Sequence, residues 1–208
     1  MVKKIVGTGV LLVLALALQA GVKMYTLKSP DGKVKLEVTA GQGIAYSLFY
    51  DGRLLLKPSR IALHTDLPEA DHWENIRITG TKQRHVSETV QAPFYRVKEF
   101  GIDCNELELR LNNGFSLLMR AYNDGMAYRF VAGRKGEMTV VEERAEFNFA
   151  DDFEAYIPYS TNPKDPWNMA FQNFYTKAPL TQYNTELPAF LPLTVDAGTC
   201  LLYTSDAA

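Results

Sequence analysis

Cysteine and histidine are scarce in this chain of 208 residues, which has two of the first and three of the second. Two thiols close at most one disulfide, so a small fold stapled by bridges is excluded and the core must come from packing. Cys104 and Cys200 either pair in an oxidising compartment or stay free. His64, His72 and His85 lack the i, i+4 spacing of a helical zinc site and have no cysteine near them. Basic clustering is also missing. With a formal net charge of −2 and scattered Lys and Arg, the chain has no electrostatic footprint for nucleic acid. There is no Gly-rich phosphate loop, no dinucleotide fingerprint and no Gly-x-Ser-x-Gly nucleophile elbow. No stretch of about a dozen residues combines a 3.6-residue period with helix caps, and no repeat of about 20–50 residues recurs.

What is present is apolar and aromatic. Hydrophobic residues make up 47% of the chain and charged ones 22%, enough for an ordinary core, and 11 Tyr with 11 Phe favour strands. The N-terminus carries Lys3 and Lys4, then 14 uncharged residues from Ile5 to Leu18, then Gln19-Ala20-Gly21. That order reads as a secretory signal peptide over residues 1–20, cleaved after Ala20. The apolar run is short of the roughly 20 residues that a membrane span needs.

Period-2 alternation follows. Val34, Leu36 and Val38 alternate with Lys33, Lys35, Glu37 and Thr39, as in a half-buried strand. Residues 44–50 and 53–57 flank Asp51-Gly52, a type I′ hairpin turn, and Pro58 ends that pairing. Residues 60–80 are more broken, 76–83 read as a strand, and 86–97 read as strand, bulge, strand around Pro93. Leu107, Leu109 and Leu111, residues 115–122 and residues 126–131 form a meander turned at Asn112-Asn113-Gly114 and Asn123-Asp124-Gly125. One or two further strands lie in 138–149. Many short strands with Gly-rich turns argue an all-β sandwich of antiparallel strands.

Beyond Asp151 the texture changes to aromatic and proline-rich stretches with little alternation, around Tyr156, Tyr159, Pro166 and Trp167. Such loops line sites or pack their rings on the sandwich. Among the carboxylates, Glu106 and Glu108 share one strand face, as do Glu142 and Arg144, and both sets read as solvent contacts. Asp71-His72-Trp73-Glu74 reads as a solvated loop and His64 as a packed or hydrogen-bonded residue. No internal catalytic set emerges.

Three segments carry a resemblance. They are Leu27 to Lys33 with its Ser29-Pro30-Asp31-Gly32 turn, Asn105-Glu106-Leu107 with Arg120 to Phe130, and Ala145-Glu146-Phe147 followed by Tyr156-Ile157-Pro158. In order and spacing the chain resembles the N-terminal domain of glycoside hydrolase family 97, exported bacterial α-glucosidases and α-galactosidases, from about residue 26 to about 195. The resemblance implies a β-super-sandwich over residues 21–198. It would pack against a catalytic (β/α)8 barrel, act with it on α-linked oligosaccharides in the periplasm and contribute to its active-site edge.

It also implies a Ca²⁺ ion to which this domain supplies one glutamate, in a Phe-Glu-Asn-x-Tyr-Thr context. Here the matching stretch is Phe171-Gln172-Asn173-Phe174-Tyr175-Thr176, so Gln172 takes that place and brings no charge. Gln172 is then a neutral metal ligand or a loop amide with no such role. Residues 199–208 depart from the family pattern and read as a non-native tail, with the catalytic barrel lying beyond this chain. A free-standing carbohydrate-binding sandwich, stacking Tyr156, Tyr159 and Trp167 on sugar rings, is the alternative.

Overall fold

The computed structural model describes residues 23–94, 96–162, 164–165, 173–198 and 200–204. Within them the chain forms thirteen strands, one 3-10 turn at Leu180–Gln182 and no α-helix. Three antiparallel sheets share one core, so the all-β reading holds.

The first sheet contains β1 (Lys23–Lys28), β2 (Val34–Gly41), β3 (Gly43–Tyr50), β4 (Arg53–Thr65) and β9 (Val140–Ala145), in the order β1-β2-β3-β4-β9. Alternation drives it. Val34, Leu36, Val38 and Ala40 are buried on β2, and Ile44, Tyr46 and Leu48 on β3, while the residues between them stay half-exposed. The second sheet runs β5 (Ile78–Gln91), β6 (Glu99–Leu111), β7 (Phe115–Tyr122) and β8 (Gly125–Ala132) in sequence order. Leu107, Leu109 and Leu111 meet Phe115, Leu117, Met119 and Ala121 in its buried layer. The third sheet is smaller: β10 (Glu154–Ile157), β11 (Thr176–Pro179), β12 (Leu193–Asp196) and β13 (Leu201–Thr204), ordered β11-β10-β12-β13.

Aromatic rings join the layers. Trp73 packs edge-on against Phe130 at 5.2 Å between centroids and lies 6.0 Å from Phe115. Tyr46 of the first sheet meets Tyr128 of the second at 6.2 Å. Such pairs add to the area they bury because ring edges and faces carry opposite partial charge.

Three local readings need correction. Pro58 does not end a strand; β4 passes through it, because two residues, Lys57 and Pro58, stand opposite Ser47 alone where the register slips. A bulge is where a strand tolerates a missing backbone donor. Residues 86–97 are not two strands about a bulge. They are the end of a 14-residue β5 and the turn beyond it, with Pro93 in the turn. The stretch after Asp151 is not loop alone, since it yields four short strands whose inward residues, Ala155, Ile157 and Val195, are fully buried. At the C-terminal end, Leu201–Thr204 pairs with β12, and Cys200 and Leu202 pack against the core.

Candidate functional site

The first two segments that carry the family resemblance meet in space, and their polar residues brace turns. Ser29 Oγ donates to Asp31 Oδ1 at 2.6 Å and accepts from the Val34 backbone N–H at 3.0 Å, closing the first turn on itself. The backbone N–H of Asp31 donates to Asn123 Oδ1 at 3.0 Å, tying that turn to the β7–β8 turn 92 residues later. Asn105 Nδ2 donates to the Lys28 carbonyl at 2.8 Å, so β6 is fastened to the same corner. The third segment fastens to strands of the first sheet: Glu146 Oε2 accepts from the Arg60 N–H at 3.1 Å, and its carbonyl accepts from Tyr46 Oη at 3.3 Å. The Asp31–Asn123 and Asn105–Lys28 bonds hold the first and second sheets together, and Glu146 braces the first sheet.

Glu106 departs from its reading as a solvent contact, because only 4% of it is exposed. Strand register places it between Arg84 on β5 and Arg120 on β7. Arg84 Nε donates to Oε1 at 2.7 Å and Arg120 Nε to Oε2 at 2.8 Å. Burial pushes the carboxyl pKa up, but the hydrogen bonds and charges of Arg84 and Arg120 outweigh it and hold it below its ordinary 4.5. The hydrogen bonds that Arg120 makes to Tyr122 and Glu106 raise its own pKa above the ordinary value. A carboxylate clamped by two guanidiniums is a poor proton donor. Glu106 is structural, and the signal for it was the pair of arginines on flanking strands, visible only once register is known.

The remaining candidates fall apart as catalytic sets. His64 Nδ1 lies 2.7 Å from Asp71 Oδ1, so the loop carboxylate pairs with a strand histidine and not with adjacent His72, which is exposed. Trp73 is buried and its indole N–H donates to the Leu63 carbonyl at 3.1 Å. His85 sits between Asn105 Oδ1 at 3.0 Å and Asp103 Oδ1 at 3.1 Å. Every residue of β9 is exposed, with Glu143 accepting from Tyr128 Oη at 3.2 Å and Arg144 beside Glu146 at 3.3 Å. Both cysteines are free, and burial pushes the Cys104 thiol pKa up, which leaves it a protonated core residue.

One end of the third sheet gathers the aromatic loops. Tyr159 is buried, packs at a tilt against Tyr183 with 5.4 Å between ring centroids, and its Oη accepts from the Asn184 N–H at 2.7 Å. Asn173 Nδ2 donates to the Tyr159 carbonyl at 2.8 Å. Beside it Phe174 and Tyr175 are exposed at 95% and 56%, two adjacent aromatic rings facing solvent among the described residues. Tyr159 is thus a packing residue, unavailable for stacking on a sugar. Tyr156 is half-buried, with Lys177 Nζ 5.8 Å above its ring and bonded to Glu154 at 2.8 Å. Gln172 and Trp167 lie outside the described residues, as does the segment over residues 1–20 that reads as a signal peptide.

The donor set bears on calcium. Ca²⁺ takes about six to eight oxygens, several of them carboxylate. Among the described residues no group of three or more His, Cys, Asp or Glu comes together. Gln172, whose amide would bring a single neutral oxygen to such a site, is not among them.

Comparison with known proteins accounts for the fold. The model of the Glycosyl-hydrolase 97 N-terminal family matches residues 27–207. A retaining alpha-galactosidase of Bacteroides thetaiotaomicron is 40% identical over 189 residues, covering 88% of this chain and 28% of that protein. A probable retaining alpha-galactosidase of Streptomyces bingchenggensis is 26% identical over 158 residues, covering 74% of this chain and 24% of its own length. The chain therefore spans about a quarter of the curated relatives it matches. Among solved structures, a glycoside hydrolase family 97 enzyme from Pseudoalteromonas sp. strain K8 aligns with a TM-score of 0.64 at 19% identity. That match covers 82% of this chain and 26% of the enzyme. A beta-arabinopyranosidase aligns at a TM-score of 0.69 with 22% identity, over 82% of this chain and 29% of its own. Both show a shared fold. With a family match across most of its length, this chain belongs to the glycosyl hydrolase 97 N-terminal family.

Proposed function

We propose that the chain is the N-terminal β-sandwich of an exported retaining α-galactosidase. In this reading it packs on a catalytic (β/α)8 barrel outside these residues and forms an edge of its active site. One observation carries the reading: 88% of the chain is 40% identical to a retaining alpha-galactosidase, but over only 28% of that enzyme's length. The galactosidase side is preferred to the glucosidase side because both curated relatives bear that name.

The chain's own chemistry agrees with a supporting role. Among the described residues the most buried carboxylate is neutralised by two arginines, and the imidazole–carboxylate pairs, His64–Asp71 and His85–Asp103, are partly or well exposed to solvent. The exposed Phe174 and Tyr175 supply the surface that the barrel would cover. Gln172 supplies at most one neutral oxygen to a metal site completed by the barrel. Export to the periplasm is part of the same proposal, supported by the lysine-led apolar segment at residues 1–20.

The purified chain should hydrolyse neither p-nitrophenyl α-galactoside nor p-nitrophenyl α-glucoside. Turnover above the solvent rate, abolished by a substitution in this chain, would overturn the reading.

A further inference from the structure

β5 is an edge. Among the described residues it pairs with β6 on one side and with no strand on the other, and it is 14 residues long. Apart from buried Val86 and half-buried Ile78 and Gly80, all its residues are exposed. The hairpin it shares with β6 also outruns the rest of the sheet. β7 pairs with β6 only as far as Cys104, whereas the β5–β6 register continues to Gln91 opposite Glu99. An exposed edge of this length presents a row of unpaired backbone donors and acceptors, which natural sheets shorten, kink or break with proline. β5 has no proline, and its single register shift lies at its start, between Ile78 and Gly80. The device that remains is charge, and the charges have a pattern.

Lys82, Arg84, Val86, Glu88 and Val90 recur at every second residue, so they line one face of the strand. Set a second copy antiparallel to it, with the two-fold axis through Val86. Arg84 then stands opposite Glu88 of the copy, and the symmetry repeats the pair on the other side. Val86 meets its own counterpart, and the Lys82 stem lies across from Val90. Moving the axis to Arg84 or to Glu88 would set a like charge against itself, which penalises those registers. We propose that β5 is a self-pairing edge, and that two copies of this chain join there into one continuous eight-stranded sheet with Val86 on the axis. The interface is isologous, as two-fold assembly requires, and backbone hydrogen bonds supply the adhesion while the Arg84–Glu88 pairs fix the register.

Sedimentation velocity of the purified chain across the micromolar range tests this, with far-UV circular dichroism as the check on folding. The expected result is a reversible monomer–dimer equilibrium, accompanied by slowed amide exchange in β5 as concentration rises. Glu88→Lys, an exposed position, should weaken the dimer about tenfold or more, because two attractive pairs become repulsive. Val90→Glu, which faces Lys82 of the copy, should leave it equal or tighter. Phe94→Asp, at the fully exposed hairpin turn outside the pairing, should change nothing. A chain that stays monomeric throughout overturns the proposal. So does a dimer weakened by Phe94→Asp or Val90→Glu and indifferent to Glu88→Lys, which would mean apolar association through the hairpin tip. Protection of β5 amides only within a longer polypeptide would show that polypeptide to be the occupant, and the proposal would fail.

Discussion

Glu106 illustrates how far a residue's neighbours decide its role. In sequence it alternates with leucines and looks like a solvent-facing partner of Glu108; in the fold it is 4% exposed and gripped on both sides. Alternation told which face it occupies but not that two arginines on neighbouring strands would close over that face. A buried carboxylate held this way is costly to remove, because its loss leaves two guanidiniums facing each other. Arg84 is about half exposed and Arg120 about a quarter exposed, so solvent screens part of that cost. Glu106→Gln should therefore destabilise the chain by about 2 kcal/mol at neutral pH, read from the urea midpoint. The pH dependence has a definite sign. Because the folded pKa lies below 4.5, the carboxylate's contribution is complete above the unfolded value and is lost as pH falls through the folded one. The gap between wild type and Glu106→Gln should close toward acid. A gap that widens there would mean the carboxyl is protonated in the native state.

Elements were legible where turn chemistry and alternation agree. Asp51-Gly52 announces a type I′ turn, and the fold gives both residues positive φ, 48° and 80°. The same agreement located the β6–β7–β8 meander. It failed in two kinds of place. Pro58 reads as a terminator, yet a bulge lets β4 run on, and the bulge depends on Ser47 across the sheet. The strands of the third sheet are four residues each, too short for alternation to rise above the prolines and aromatics around them. The Asp51-Gly52 turn is open to test. A Cβ at Gly52 would meet nothing within 4 Å, so any cost of adding one is conformational alone. Gly52→Ala should lose about 1 kcal/mol of unfolding free energy, from the left-handed backbone. Gly101→Ala, equally uncrowded but without a positive φ, should lose distinctly less. Equal losses at the two sites would remove the turn as the cause.

At the scale of the whole molecule the sequence is nearly silent, because the long-range pairings come from geometry that no local pattern encodes. β9 returns to β4 after the entire second sheet has been built, and β12 crosses to β10 past β11. The result is one core: Leu36 and Ile44 of the first sheet, Leu109 and Leu117 of the second, and Ile157 and Val195 of the third belong to the same buried cluster. A shared core predicts shared fate, since no sheet can shed its partners without exposing its own apolar face. Unfolding in guanidinium should then give one transition by every probe. Trp73 reports on the contact between the first and second sheets through Phe115 and Phe130, whereas far-UV circular dichroism reports on all three. In a Trp167→Phe background, which leaves Trp73 as the sole tryptophan, the two signals should coincide. Leu109→Ala, at a fully buried position, should move both midpoints together by an amount corresponding to about 2–5 kcal/mol. Should the dichroism begin to fall before the emission does, the third sheet unfolds on its own. The element that carries Phe174 and Tyr175 would then be a loosely held flap, and any surface it offers a catalytic partner would have to be ordered on docking.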